Sequence, residues 1–170
     1  KNQHLKGKKG TLVKLGIKRR NSKDLIYYDV IRGDIPVKSV DVAYMINETT
    51  GYVHVTSFSE KTYEEFIIAL VELSVKGMEN VIVDLRGNHG GYMQIAIKMA
   101  NEFLKRNKLI VYTEGIHTKR EDYYSDGRGS FQSLPLVVLV DDASASASEI
   151  FAGAMQDNDR GVIVGRRSFG

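Results

Sequence analysis

Residues Asp142-Ala143-Ser144-Ala145-Ser146-Ala147-Ser148-Glu149-Ile150 alternate serine with alanine between an apolar run at 135–140 and a helix-like pattern at 150–155. Small residues permit a sharp strand-to-helix turn and close approach of a second molecule. A serine there sits at a helix N-terminus, where unpaired N–H groups favour developing negative charge. That is the setting of a nucleophile for acyl transfer. Serine is also a common helix cap, so Ser144, Ser146 and Ser148 equally qualify as capping residues.

Acyl transfer also needs a base and donors for the oxyanion. Arg86-Gly87-Asn88-His89-Gly90-Gly91 follows a second apolar run at 81–85. Its paired glycines let backbone N–H groups face a ligand without steric obstruction, although glycines also serve ordinary strand-to-helix turns. For the base, His89 oriented by Asp84 or Asp141 would complete a triad. A lysine would act only if burial made it neutral. Lys76, Lys98 and Lys105 fall on helix surfaces or in charged turns. The residues alone leave the base unassigned.

The elements that must position these loops are legible in the periodicity. Residues 11–19 and 25–31 read as a β-hairpin about an Asn21-Ser22-Lys23 turn, and Gly33-Asp34-Ile35-Pro36 marks a boundary. Residues 40–46 and 51–58 read as strands, and 62–76 as an amphipathic helix with a Thr62-x-x-Glu65 capping box and a Gly77 stop. A buried-type strand at 81–85, a helix at 93–105 and a strand pair at 109–113 and 121–124 follow. A strand at 135–140, a helix at 148–156 and a strand at 161–165 complete the chain. Such alternation implies an α/β core with parallel pairing. Ligands then bind beyond the carboxyl ends of the strands, where both loops emerge.

Composition narrows the function classes. The chain has 170 residues, 42% hydrophobic and 26% charged, as expected of one well-buried domain with part of a second. No apolar run approaches the ~18 to 20 residues of a membrane span. The chain opens on Lys1-Asn2-Gln3-His4 without a signal-peptide pattern and is expected to be a fragment of something longer. The absence of cysteine excludes disulfides, thiolate metal sites and cysteine nucleophiles. His4, His54, His89 and His117 lack metal-ligand spacing, so neither a metal nor another cofactor is expected. Nine Lys or Arg stand against Asp24 in the first 24 residues. Without interleaved aromatics or a recognition helix, this reads as a solvated hairpin face rather than a nucleic-acid site.

Three motifs carry a resemblance. Asp84-Leu85-Arg86-Gly87-Asn88-His89-Gly90-Gly91, Ser144-Ala145-Ser146-Ala147-Ser148-Glu149-Ile150 and Gly165-Arg166-Arg167-Ser168-Phe169-Gly170 resemble, in order and spacing, those of the C-terminal processing, or tail-specific, serine proteases. The stretch from Gly51-Tyr52-Val53 to Tyr63-Glu64-Glu65-Phe66 resembles the start of that family's core, and the hairpin the last strands of the PDZ domain before it. The resemblance implies a ClpP/crotonase-like core of ββα units at 35–170, preceded at 1–34 by the end of a PDZ-like domain. It implies Ser146 as nucleophile and the N–H groups of Gly91 and Ala147 as oxyanion hole. The family's base is a lysine directly after a Phe-Gly pair, hence after Gly170 and outside this chain. The resemblance therefore implies a Ser/Lys endopeptidase cleaving proteins near their C-terminus, located in the cell envelope, with this fragment inactive. His89 in place of proline, Asp141-Asp142-Ala143 and Arg166-Arg167-Ser168 depart from the family pattern without removing a group this chemistry uses. The rival expectation is a non-catalytic peptide- or acyl-ligand-binding module on the same scaffold.

Overall fold

The computed structural model describes residues 5–20, 24–33 and 37–170. The chain divides into two compact units, Lys1–Val37 and Lys38–Gly170. In the first unit, β1 (Leu12–Lys18) and β2 (Leu25–Ile31) form the expected antiparallel hairpin. The predicted turn at 21–23 and residues 34–36 of the predicted boundary lie outside the described residues.

The second unit runs β3 (Val40–Met45), β4 (Thr50–Val55), α1 (Thr62–Val75), β5 (Asn80–Asp84) and α2 (Met93–Asn101). It continues with β6 (Leu109–Gly115), β7 (Thr118–Tyr124), β8 (Leu136–Val140), α3 (Ala147–Asp157) and β9 (Val162–Gly165). Five strands make one sheet in the order β3-β4-β5-β8-β9, antiparallel only between β3 and β4. β6 and β7 form a separate antiparallel pair. The expected α/β class with ββα units is the observed one.

Alternation decides which sheet face is inside. Val53, Val83 and Val138 are paired neighbours across β4, β5 and β8, and all three are fully buried. Tyr52, His54, Ile82, Val137 and Leu139 point the other way and stay half-exposed. The buried face joins Phe66, Leu70 and Leu73 of α1, Met99 of α2 and Phe151 and Met155 of α3 in one core. Phe103 sits among Phe66, Phe131 and Phe151 with ring centroids 6.0–6.2 Å away. Each such buried side chain contributes roughly 1.5–3 kcal/mol.

Two local expectations need correction. Thr62 and Glu65 do not form a capping box, because the preceding turn claims Thr62 and a distant strand start claims Glu65. Glu65 Oε2 accepts the N–H groups of Ser39 and Val40 at 2.8 and 3.0 Å, while Thr62 Oγ1 donates to the Ser57 carbonyl. The second helix ends at Asn101 rather than 105. Glu102 is pulled into the interior, where Tyr63 Oη donates to its Oε1 at 2.7 Å and the Ser130 N–H to Oε2 at 2.9 Å. Gly77 does end α1, at φ +94°.

Candidate active site

β5 and β8 are adjacent and parallel, so the loops after Asp84 and Val140 leave the sheet side by side. Hydrogen bonds fasten them together. Ser144 Oγ donates to the Leu85 carbonyl at 2.8 Å, and the Gly87 N–H donates to Asp141 Oδ1 at 3.0 Å. The Ala145 N–H and Ser148 Oγ both donate to the Asn88 carbonyl, at 3.1 and 2.9 Å. Ser144 and Ser148 are thereby buried and committed, while Ser146 between them is exposed.

Ser146 has φ +55° and ψ −113°, a conformation that costs a non-glycine residue on the order of 1–3 kcal/mol. The turn thrusts its side chain out at the N-terminus of α3. Its own N–H donates to Glu149 Oε2 at 2.7 Å. Oε1 of the same carboxylate accepts from Ser168 Oγ at 2.9 Å and from the Gly170 N–H at 2.8 Å. Burial pushes the Glu149 carboxyl up, but the donors Gly170, Ser168 and Ser146 outweigh it and hold it below the ordinary glutamate value. Glu149 thus joins the serine to the last residues of the chain. It was not singled out as a site residue from sequence, although Ser146-x-x-Glu149 has capping-box spacing.

The glycine loop is held with equal economy. Asn88, fully buried, donates through Nδ2 to the Val55 carbonyl and accepts the Gly90 N–H at Oδ1, both at 2.8 Å. A Cβ on Gly90 would lie 2.6 Å from the Ala145 oxygen and 2.9 Å from both the Ala147 nitrogen and Ser146 Cβ. Gly91, at φ +145°, forms a bridge with Phe58, whose N–H and carbonyl bond to Gly90 and Tyr92. Among the described residues, neither the Gly91 nor the Ala147 N–H finds an acceptor. Ala147 follows the exposed serine in the chain, and Gly91 follows Gly90, where an added Cβ would stand 2.9 Å from Ser146 Cβ; free N–H groups are the donors an oxyanion needs.

The triad that His89 would complete is not assembled among the described residues. His89 is exposed and makes no hydrogen bond to Ser146 among the described residues. Both carboxylates considered as its orienters serve elsewhere. Asp84 accepts from Arg86 Nη2 and from Tyr52 Oη, each at 2.6 Å, and Asp141 accepts from Gly87, Ala143 and Ser144. Burial raises the Asp84 pKa, but Arg86 and Tyr52 outweigh it and hold the carboxyl low. Burial, then Asp84, pushes the Tyr52 hydroxyl up to about 12. No described lysine bonds to Ser146 either.

A groove of about 590 Å³ opens beside Ser146 between α3 and β6. Ile110 and Val111 form one wall; Ile150, Gly153 and Ala154 form the other, with Asp157 farther along α3. Residues 146, 150, 153 and 157 share one helix stripe, so the groove runs from the serine along the helix. Among the described residues, no group of three or more His, Asp or Glu is placed to hold a metal ion. No helix among them is long and apolar enough to cross a membrane.

Comparison with known proteins identifies the family. Residues 49–170 match the model of peptidase family S41. The carboxy-terminal processing protease CtpA of Bacillus subtilis is 37% identical over 166 residues, which are 98% of this chain and 35% of that protein. CtpB of the same organism is 33% identical over 168 residues, 98% of this chain and 35% of that protein. The solved photosystem II D1 C-terminal processing protease superposes with a TM-score of 0.68 at 28% identity, covering 96% of this chain and 46% of that one. The chain spans about a third of the length of these two curated relatives. With a matched segment that holds both loops and the exposed serine, the chain belongs to peptidase family S41, the family of the carboxyl-terminal processing serine proteases.

Proposed function

We propose that this chain carries the nucleophile and oxyanion hole of a serine endopeptidase that cleaves proteins near their C-terminus. Ser146 Oγ attacks the carbonyl, and the N–H groups of Gly91 and Ala147 receive the charge that develops on its oxygen. The base is a lysine at the position after Phe169-Gly170, neutral when it takes the serine proton and then donating it to the leaving amine. Water resolves the acyl-enzyme by the reverse sequence. The observation that carries this reading is Ser146 itself, exposed at a positive φ, beside two backbone donors without acceptors. Among the described residues no base bonds to Ser146, so on this reading the 170 residues alone are expected not to turn over peptide.

The first unit belongs, on this reading, to a PDZ-like domain that binds substrate tails, and the protein works in the cell envelope. The test is peptide cleavage by two proteins, this chain and a longer one that includes the lysine, each with and without Ser146→Ala. Cleavage by the longer protein alone, abolished by the substitution, supports the proposal. Serine-dependent cleavage by the 170 residues would refute the lysine assignment and restore His89. Ligand binding without cleavage by the longer protein would favour the non-catalytic module.

A further inference from the structure

Gly153 is the single glycine within the three helices, and glycine in a helix interior lowers stability relative to alanine. Gly90 has a local reason to lack a side chain, the Ala145 oxygen that a Cβ would meet at 2.6 Å. Gly153 has none: its φ is not positive, and no atom beyond its own helical neighbours lies within 4 Å of where a Cβ would stand. Neither backbone conformation nor packing within the described residues excludes a side chain. What the missing side chain leaves open is the groove beside Ser146.

We propose that Gly153 is the specificity-determining residue of that groove. It keeps open a subsite for an apolar side chain of an extended peptide whose carbonyl lies at Ser146, which rests on Ser146 being the nucleophile. Seven residues of helix place Gly153 about 10 Å along the axis from Ser146. An extended peptide advances roughly 3.3 Å per residue, so the subsite takes a side chain within about three residues of the attacked bond. Ile110, Val111, Ile150 and Ala154 make its walls apolar, and the Asp157 carboxylate farther along disfavours an acidic residue there. Gly153 also borders a smaller hollow of about 210 Å³ with Ile163 and Ser168.

The test uses Gly153→Ala and Gly153→Leu with peptides that carry Gly, Ala, Val, Leu or Phe at one position. Binding to this chain is read by fluorescence anisotropy and stability by thermal unfolding. Gly153→Ala is expected to raise Tm by about 2–4 °C while weakening the Leu and Phe peptides. Gly153→Leu is expected to weaken those two at least about tenfold and to leave Gly and Ala peptides within about twofold. Absence of size discrimination by the unsubstituted chain, an equal loss across the series, or a lower Tm for Gly153→Ala would each overturn the proposal. Ser146→Ala separates the two readings: cleavage by the longer protein that survives it removes the nucleophile, whereas binding selectivity reports on Gly153 alone.

Discussion

Replacing Asn88 by alanine should unseat the oxyanion loop, and the magnitude follows from what its amide holds. Nδ2 satisfies the Val55 carbonyl at the end of β4, and Oδ1 satisfies the Gly90 N–H, each at 2.8 Å in a side chain with no solvent exposure. Truncation leaves a carbonyl and an N–H unpaired in the interior, at roughly 1–3 kcal/mol apiece. A total near 4 kcal/mol is a large fraction of the ~5–15 kcal/mol of a folded domain and lowers Tm by about 8–16 °C. Asn88→Asp keeps the acceptor for Gly90 but places an oxygen against the Val55 carbonyl, so it should not rescue. Urea unfolding of both variants, with amide exchange at Gly90, measures the effect. A loss under about 1 kcal/mol for Asn88→Ala, with Gly90 still protected, would refute the reasoning.

Other substitutions read different parts of the site. Gly90→Ala drives a methyl into Ala145 and Ala147 at a positive φ; circular dichroism melts should show destabilisation of about 2 kcal/mol or more. Gly91→Ala, measured in the longer protease, should cost ~10²- to 10³-fold in kcat, and an unchanged kcat would dismiss Gly91 as a donor. Asp84, Asp141 and Glu149 all have lowered pKa values. Their stabilisation is therefore present above the ordinary carboxylate range and lost as pH falls through their lowered values. Acid titration of stability should show this decline, and Glu149→Gln should remove part of it; an identical acid limb would count against the Glu149 assignment. Arg160 donates to the carbonyls of Phe103, Phe131 and Leu134, so Arg160→Met should cost about 2–4 kcal/mol in urea unfolding, and a neutral result would reject the clamp.

Much was determined by the sequence itself, because the signals were local. Alternation and helical periodicity place every element in order, and the glycine and serine loops announce themselves after apolar runs. The chain's own motifs also carry the family resemblance. Where a local signal failed, a distant partner had taken the residue. Glu65 caps the Ser39-Val40 backbone rather than its own helix, and Glu102 leaves α2 to meet Tyr63 and Ser130.

The family resemblance singles out Ser146, but only the tertiary structure decided why the other two serines are not free. Ser144, Ser146 and Ser148 are alike in sequence, but hydrogen bonds to Leu85 and Asn88, some sixty residues away, occupy the outer two. Asp84 and Asp141, equally plausible as orienters of His89, proved to be tied to Arg86 and Tyr52 and to the Gly87 and Ser144 backbone. The groove exists only where β6 meets α3. Patterns in a chain report which face of a segment is buried. Which segment lies against that face depends on contacts between distant residues, and those exist only once the chain has folded.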